Sequence, residues 1–414
     1  MHNRLKLHIN HNWLPNIHWK GVGVVLFAFL LTRMMVFTVT YLSMAQVPVQ
    51  SGEIYWRSIP QNILADGMVR WDSGFYRDIV KGGYQSVAGI RNTAFFPLYP
   101  LLVWLLSRLI GHVYLSGLVI SNIMLLISLF YLYALVHHEY SDDDTASRAV
   151  FYLASAPTAF IFSAMYTEST FLAFLIACLY YARTGRWGLA AVTGAAVSAA
   201  RIPGIVVTVF IILEGFLQTG IRFWPTPWNM QAQFELLKRN ARRIRFCWQS
   251  FLAAIGSTAG LLVYMVYLKN TFGDPLAFIH QQFDWYGEVT GIPFFRLFID
   301  TFNNLHLDRN FWTGQINVNL LQDVLATLIF LPLVIAVIVK MRPSFGIFTL
   351  IVFLIPLTSG NMISMRRYVL TLVPCFMLLA LWGKRTWLDR LVMGISLPLQ
   401  AYLTVLFTHW YFAG

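Results

Sequence analysis

Charged residues are scarce in this chain. They make up only 12% of its 414 residues, whereas 57% are hydrophobic. A soluble globular domain carries roughly 25% charged residues, so this shortage excludes an ordinary soluble fold and indicates a polytopic membrane protein. The aromatic content of 16%, with 14 Trp and 19 Tyr, is typical of a chain with many interfacial anchors.

Cysteine is also rare. The chain has 3 cysteines, each within or beside an apolar segment and without metal-ligand spacing, so no disulfide framework is expected. A clear small-residue cleavage site is lacking after the apolar stretch 21–47, which is longer than the roughly 7–15 residues of a secretory signal core. We therefore interpret this stretch as an uncleaved first membrane span.

Long apolar runs are abundant. Taking about 17–25 apolar residues per crossing, we predict about eleven transmembrane helices within a single transmembrane domain, 1–414. They lie near 21–47, 114–137, 148–164, 168–183, 187–200, 203–218, 249–269, 317–340, 345–358, 367–382 and 391–412. We split the long segment 187–218 at "ARIPG" (200–204), because Pro203 removes a helical hydrogen-bond donor.

Positive charge exceeds negative charge, giving a net charge of +12. The basic residues are spread over short loops, so membrane topology explains them better than nucleic-acid binding does. With the N-terminus inside, 219–248 is a basic cytoplasmic loop whose run 238–245 is either an anchor on anionic lipid or a plain solvated loop. Two large extracytoplasmic loops remain, 48–113 and 270–316. In the first, "FFPLYPLLVWLLSRLI" (95–110) is too short to cross comfortably and is expected at the membrane interface.

The run "RWDSGFYRDIV" places charged residues between apolar segments. Helical spacing predicts that Asp72 and Tyr76 lie together beside an apolar stripe formed by Trp71, Phe75 and Ile79. A carboxylate at this position can accept a proton from a substrate hydroxyl. The alternative is that Asp72 caps a helix or pairs with a neighbouring arginine.

Further polar residues fall on the outer connections. Glu168 lies in "MYTEST" (165–170), where a helix cap is the alternative to a functional role. Arg201 lies at the break in 187–218, and Arg366 and Arg367 open a span. Arginine suits phosphate, although each of the three could equally be an interfacial anchor. Their presence on the side that carries both acids favours an anionic ligand.

Other ionisable residues leave two interpretations open. In "FGDPLAFIHQQFDWYG" (272–287), His280 and Asp284 are an i,i+4 pair that could bind a metal or form a hydrogen bond. Arg33 and Glu214 lie within predicted spans, where charges are costly and often functional, but an ion pair between helices would also explain them. We place Arg33 and Glu214 outside the site.

Several segments together resemble a known family. "RWDSGFYRDIVKGGY" followed by "FFPLYPLL" is similar to the first-loop signature of the PIG-V type mannosyltransferases, the GPI mannosyltransferase 2 family and its prokaryotic relatives, within the GT-C membrane glycosyltransferases. "SAPTAFIFSAMYTESTFLAFL" (155–175) resembles the family's Tyr-Ser/Thr-Glu-Ser segment. "SAARIPG", "GDPLAFIHQQFDW" and "SMRRYVLTLVP" then resemble, in order, its Arg-x-x-Gly break, its Gly-x-Pro-containing loop and its late Arg-Tyr segment.

The resemblance implies an all-α polytopic membrane protein of the GT-C type, with amphipathic or interfacial helices in the large first extracytoplasmic loop. It also implies that mannose is transferred from polyprenyl-phosphate mannose, with inversion, at the extracytoplasmic face. Asp72 would be the general base, and Glu168 would orient the acceptor or the donor sugar. On chemical grounds we expect Arg201, Arg366 and Arg367 to neutralise the departing phosphate.

The candidate substrate-binding side chains are Arg70, Trp71, Tyr76, Tyr99, Tyr166, Arg201, Gln281, Trp285, Arg366, Arg367 and Tyr368. No inner loop is long enough to fold the Rossmann-like domain that a nucleotide-sugar donor would need. The sequence has no convincing Asp-x-Asp motif, so we expect no cofactor and no required divalent metal. The expected partners are the polyprenyl-phosphate sugar, a lipid or glycan acceptor and membrane lipids, but no nucleic acid.

The compactness of the chain favours a prokaryotic cell membrane; in a eukaryote the location would be the ER membrane. The alternative function is a lipid-linked saccharide transporter or scramblase. Such a protein would distribute polar sites toward the midplane or both faces, with paired repeats, whereas here the polar residues gather on one side. A third alternative is that the protein is a pure assembly subunit without catalytic activity. In that case, replacing Asp72 would have no effect.

Overall fold

The computed structural model describes residues 17–50, 57–87, 90–221, 230–286, 316–358 and 362–413, with a few single positions between 297 and 313. Its architecture is helical apart from a small hairpin of β1 (Ser86–Val87) and β2 (Ile90–Arg91). The α-helices of the described residues are α1 (Trp19–Gln46), α2 (Ile63–Gly67), α3 (Ser73–Gly82), α4 (Leu98–Ile110), α5 (Val113–Tyr140), α6 (Asp143–Ala154), α7 (Glu168–Arg183), α8 (Trp187–Ser198), α9 (Val207–Gln218), α10 (Met230–Ile244), α11 (Trp248–Ser257), α12 (Ala259–Phe272), α13 (Ala277–Tyr286), α14 (Val318–Lys340), α15 (Pro343–Leu357), α16 (Met365–Tyr368), α17 (Val373–Trp382) and α18 (Thr386–Thr408).

Among the described residues, five helices are long and apolar enough to cross a membrane: α1, α5, α14, α18 and the continuous stretch Arg245–Phe272, which contains α11 and α12. A sixth span results if Met365–Thr371 and Val373–Trp382, which meet at a bend of 76°, count as one. Shorter apolar helices are α4, α8, α15 and Ile202–Gln218. The chain is therefore an integral membrane protein, but the predicted count of eleven spans is not confirmed for the described residues.

Helix α7 explains part of this difference. Nearly all of its residues are buried, and it packs against α5, α8 and α9. A helix that is apolar on every side is suited to a position inside the protein as well as to a lipid environment. Burial does not decide whether α7 crosses the membrane, but its 16 residues span about 24 Å at 1.5 Å per residue, which is shorter than a hydrocarbon core of about 30 Å.

The predicted span 148–164 is broken. Helix α6 ends at Ala154, and a short 3₁₀ turn follows at Ala159–Ser163. Arg33 of α1 donates from Nη2 to the Ala154 carbonyl at 2.8 Å and from Nη1 to the Ala159 carbonyl at 3.0 Å. A buried carbonyl without a partner is costly, so this guanidinium stabilises the break in the middle of the protein.

Glu214 of α9 is buried in an ion-pair network. Its carboxylate lies 3.2 Å from Arg183 Nη1 and 3.5 Å from Arg342 Nε, and it accepts a hydrogen bond from Ser344 Oγ. The ion-pair interpretation is thus the correct one for Glu214, because the described contacts neutralise its charge between helices.

The predicted break at "ARIPG" is confirmed. Helix α8 ends at Ser198, a 3₁₀ turn spans Ile202–Val206, and α9 starts at Val207. Gly204 packs so closely that a Cβ atom there would lie 2.3 Å from the Val197 carbonyl oxygen. Only glycine permits this approach, and the resulting turn fixes the position of the residues just before it.

Candidate active site

The segment before α3 is held against the turn before α7. The Met165 N–H donates to the Met68 carbonyl at 3.2 Å, and Ser73 Oγ donates to the Met165 carbonyl at 3.2 Å. The Asp72 N–H also lies 3.3 Å from Tyr166 Oη, to which it donates. These bonds bring the segment "RWDSGFYRDIV", which contains Asp72, beside the segment "MYTEST", which contains Glu168.

Helix α3 starts at Ser73, which is later than a helical stripe beginning at Trp71 requires. Trp71 has a left-handed backbone (φ 47°) and lies outside the helix, so the predicted stripe of Trp71 with Phe75 and Ile79 is wrong at its first member. Asp72 occupies the N-cap position, but its side chain makes no capping hydrogen bond. The carboxylate is therefore available for another partner.

That partner is an arginine from the far end of the chain. Arg367 Nη1 donates to Asp72 Oδ2 at 3.0 Å, and Arg367 Nε lies 3.0 Å from Glu168 Oε1. Arg201 Nη1 donates to the same Glu168 oxygen at 2.6 Å. Two carboxylates and two guanidiniums thus form one chain of ion pairs, which we call the Asp72–Arg201 cluster: Asp72, Arg367, Glu168 and Arg201.

Asp72 has the most exposed side chain of the cluster, and Glu168 has the least exposed one. The Asp72 side chain is 25% exposed, Arg367 14% and Arg201 11%, whereas Glu168 is 2% exposed. A substrate could therefore reach Asp72 directly. Guanidiniums have five N–H donors each, and the ion pairs above use only part of this capacity.

Glu168 is the first residue of α7, and its side chain points to the arginines rather than capping the helix. Its other oxygen, Oε2, is buried, and no group among the described residues donates to it. A buried carboxylate oxygen that lacks a donor is costly. A hydroxyl-rich ligand such as a sugar would supply that donor.

Aromatic rings support the two arginines. The Arg201 guanidinium carbon lies 5.1 Å from the centre of the Tyr368 ring, and that of Arg367 lies 5.6 Å from the Tyr166 ring. Such contacts orient a guanidinium without consuming its N–H donors. The structure therefore brings together Tyr166, Tyr368 and the Asp72–Arg201 cluster, as the sequence predicts.

Burial raises the pKa of Asp72 above its ordinary value; Arg367 opposes this shift and Glu168 adds to it. Tyr76, on α3, is buried, and burial likewise raises the pKa of its phenol, with contributions from Glu168 and Asp72. The phenol stays protonated and can donate a hydrogen bond, whereas Asp72 becomes a stronger proton acceptor once ionised.

Arg366 points away from this cluster. Its Nη2 donates to Asn319 Oδ1 at 3.2 Å and to the Phe412 carbonyl at 3.1 Å. Asp323, in α14, accepts the backbone N–H groups of Ser364 and Arg366 at 3.1 and 3.0 Å. The pair of arginines is therefore divided, with Arg367 in the cluster and Arg366 joined to α14. Sequence reasoning missed Asp323, although a lone acid inside an apolar span is a recognisable signal.

Arg70 is fully buried. Its Nε donates to the Thr408 carbonyl at 2.9 Å, its Nη1 to the Val69 carbonyl at 2.8 Å and its Nη2 to Asp66 Oδ2 at 2.9 Å. This position ties the segment before Asp72 to the end of α18. Asp66 was also missed, although its i,i+4 spacing from Arg70 is a signal for such a pair.

The remaining predicted binding residues lie around the cluster at different depths. Tyr99 is fully buried and donates to the Gly117 carbonyl at 3.0 Å, with its ring 4.9 Å from that of Tyr76. The indole Nε1 of Trp71 is buried without a described partner, and its ring contacts that of Trp410.

In the second predicted outer loop, Gln281 is buried and accepts from Thr93 Oγ1 at 2.8 Å, so it joins α13 to the first loop. His280 Nδ1 lies 2.7 Å from Asp274 Oδ2. The side chains of Asp284 and Trp285 lie outside the described residues.

The chain resembles known proteins at two levels. The family model described as mannosyltransferase (PIG-V) matches residues 22–287, which include Asp72, Glu168 and Arg201. No curated protein sequence matches the chain significantly.

Two solved structures of the Archaeoglobus fulgidus oligosaccharyltransferase are similar at 12% identity. The alignment with the zinc and sulfate complex covers 93% of this chain and 53% of the oligosaccharyltransferase chain, with a TM-score of 0.44. The apo form covers 96% and 56%, with a TM-score of 0.45. This chain thus spans about half the length of those proteins. Since the family model matches more than half of its residues, the chain belongs to the mannosyltransferase (PIG-V) family.

Proposed function

We propose that this protein is an inverting glycosyltransferase that moves mannose from polyprenyl-phosphate mannose to a hydroxyl of a lipid-linked or glycan acceptor, at the extracytoplasmic membrane face. The observation that carries the proposal is that Arg367 contacts both Asp72 and Glu168. Four distant segments thereby join a partly exposed carboxylate to Arg367 and, through Glu168, to Arg201, within a family of mannosyltransferases.

Asp72 acts as the base in this proposal. The acceptor oxygen attacks the anomeric carbon of the donor while its proton passes to the Asp72 carboxylate. The bond between the anomeric carbon and the phosphate oxygen breaks, and its electron pair leaves with the polyprenyl phosphate. Attack opposite to the leaving group inverts the anomeric centre. The exposed fraction of Asp72 and its lack of a capping bond support this role.

Arg201 and Arg367 stabilise the leaving group. The donor is a phosphodiester, and the departing phosphate gains negative charge as the bond breaks, so guanidiniums fixed beforehand near that oxygen favour the transition state. Glu168 holds both arginines in place through one oxygen. Its second oxygen, which has no described donor, accepts a sugar hydroxyl.

The test measures transfer by purified protein in detergent. Radiolabelled polyprenyl-phosphate mannose is incubated with a membrane lipid extract and with the wild type, Asp72→Asn or Asp78→Asn. Asp78 is the matched control because it lies on the same helix but pairs with Arg77 at 2.6 Å. We expect Asp72→Asn to lose about 10²–10⁴-fold in rate and Asp78→Asn to retain the wild-type rate.

Two outcomes would contradict the proposal. Equal product from the wild type and Asp72→Asn would remove Asp72 as the base. No product from the wild type, together with movement of the intact lipid-linked sugar across vesicle membranes, would favour the transporter alternative.

A further inference from the structure

Two histidines and an aspartate meet at the end of the protein opposite the Asp72–Arg201 cluster. His18 precedes α1, His137 lies in the last turn of α5, and Asp143 begins α6. His18 Nε2 and His137 Nε2 each lie 3.3 Å from Asp143 Oδ1. The three potential ligand atoms all lie within 4.8 Å of one another.

The two nitrogen–oxygen distances of 3.3 Å match the spacing of neighbouring ligand atoms around a metal and are longer than a typical charge-assisted hydrogen bond. Zinc binds histidine nitrogen and carboxylate oxygen at about 2.0–2.2 Å in tetrahedral geometry, so neighbouring ligand atoms are about 3.3 Å apart. A charge-assisted N–H···O bond is typically shorter, about 2.7–2.9 Å. The His18, His137 and Asp143 side chains are 48%, 37% and 31% exposed, which leaves room for adjustment and for a water ligand.

The local sequence builds this arrangement. Ser141 has a left-handed backbone (φ 51°), which reverses the chain between α5 and α6 and returns Asp143 to the end of α5. Gly21 allows the start of α1 to approach α5, because a Cβ atom there would lie 2.5 Å from the Tyr133 ring. The approach brings His18 within ring contact of His137, with centroids 4.9 Å apart.

A second group supports the carboxylate. Tyr133 Oη donates to Asp143 Oδ1 at 2.9 Å, and its ring lies parallel to that of His137 at 6.3 Å. Carboxylates that bind a metal are commonly oriented by a hydrogen bond from a neighbouring group. The oxygen has two lone-pair directions, so it can accept from the phenol and also bind a cation.

We propose that His18, His137 and Asp143 bind a divalent first-row transition metal of the zinc class, with water completing the coordination. Two imidazoles and one carboxylate are a ligand set that such metals prefer, whereas magnesium and calcium prefer oxygen alone. The metal joins α1, α5 and α6.

The site has a structural role rather than a part in sugar transfer. Ser121 of α5 donates to the Tyr166 carbonyl beside the Asp72–Arg201 cluster. His137 lies 16 residues further along the same helix, a distance of about 24 Å at 1.5 Å per residue. The proposal therefore stands whether or not the transferase activity is found.

The experiment uses full-length protein purified in detergent through a tag without histidine. Cobalt(II), added after treatment with a chelator, should give visible absorption bands of a low-coordinate site, and zinc should abolish them. Zinc should also raise the thermal unfolding temperature of the wild type. We expect His137→Asn and Asp143→Asn to bind at least about tenfold more weakly, because changes outside a ligand set already cost that much.

Two variants keep the test decisive. Tyr133→Phe retains all three ligands and should weaken binding to a smaller extent. His280→Ala is the matched control, because His280 and Asp274 form an exposed pair with no third ligand described, and it should bind cobalt like the wild type. Absence of a cobalt spectrum in the wild type would overturn the proposal. Undiminished binding by His137→Asn and Asp143→Asn would do so as well, since the metal would then lie elsewhere, for example on His2, His8 or His11.

Discussion

At the scale of single residues, the decisive contact is the one between Asp72 and Arg367. The carboxylate lies at the start of α3, where an aspartate often caps the helix, yet its oxygen faces a guanidinium from the other end of the chain. A base held in this way is oriented as well as kept ionised. Its protonation should therefore respond to the arginine.

The pH dependence of transfer tests this link. Burial raises the pKa of Asp72, while Arg367 lowers it. A base acts only when ionised, so the rate should fall as the pH falls through this raised pKa, above the usual range of an aspartate. In Arg367→Gln the opposing charge is lost, so the acidic limb of kcat/KM should move to higher pH, and its plateau should be lower because the proposed contact to the donor phosphate is gone.

The control for this profile is Arg77→Gln, because Arg77 pairs with Asp78 on the same helix. Its acidic limb should coincide with that of the wild type. An acidic limb in Arg367→Gln that stays in place, or moves to lower pH, would show that Arg367 does not hold Asp72 in its ionised form.

The sequence predicts individual residues of the cluster better than it predicts their partners. Asp72 and Glu168 are predicted site residues through the family resemblance, and Arg201 and Arg367 through their predicted location on the side that carries both acids. The spacing of a helix or turn relates residues a few positions apart, whereas Asp72 and Arg367 are separated by 295 positions. Their pairing depends on how the helices pack. The opposite directions of Arg366 and Arg367 follow from Asp323, which accepts backbone N–H groups of that turn.

At the scale of elements, the turn between α8 and α9 determines where Arg201 lies. The Gly204 N–H donates to the Arg201 carbonyl at 2.9 Å, and the Leu98 N–H at the start of α4 donates to the Ala199 carbonyl at 3.0 Å. The break in this apolar segment thus holds both an arginine of the cluster and the start of another helix.

Substitution of Gly204 by alanine should disturb that turn. The added Cβ atom would meet the Val197 carbonyl at 2.3 Å, and backbone atoms cannot move away as a flexible side chain can. We expect a loss of about 1–3 kcal/mol in the free energy of unfolding, together with reduced transfer because Arg201 is displaced. Thermal unfolding in detergent and the radiolabel assay measure the two effects.

Gly188→Ala supplies the comparison for Gly204→Ala. Gly188 lies in α8, and a Cβ atom there meets nothing within 4 Å, so this variant should unfold at or slightly above the wild-type temperature. Equal unfolding temperatures for the two variants would contradict the role assigned to the close approach at Gly204.

The starts and breaks of elements are partly predictable from the sequence, whereas the predicted number of membrane crossings is not confirmed for the described residues. Pro203 and Gly204 in "ARIPG" are strong local signals, and the break occurs there. Apolar composition shows that a helix avoids water, but lipid and the protein interior satisfy it equally well. Helix α7 is surrounded largely by protein, which is a property of packing and not of its own sequence.

At the scale of the whole molecule, the orientation in the membrane follows from the distribution of basic residues and stays a prediction. Lys81 on α3 and Asp144 on α6 are exposed and lie near opposite ends of the bundle. The three native cysteines, Cys178, Cys247 and Cys375, are buried. Single cysteines at the two exposed positions therefore report on the two sides against a low background.

We expect Lys81→Cys to react with a membrane-impermeant thiol reagent in intact cells or sealed right-side-out vesicles. Asp144→Cys should react only after the membrane is permeabilised. Labelling of both positions before permeabilisation, or the reverse order, would contradict an extracytoplasmic Asp72–Arg201 cluster, and the wild type with its buried cysteines gives the background.

The bond from Arg70 to the Thr408 carbonyl also bears on biogenesis. During translation, α3 leaves the ribosome long before α18, so a nascent chain that has been inserted only as far as α17 lacks the Thr408 carbonyl that accepts from Arg70 Nε. The segment that presents Asp72 therefore gains its last described anchor only after α18 has entered the membrane. Such an order of assembly would leave the position of Asp72 incomplete until the last long helix is in place.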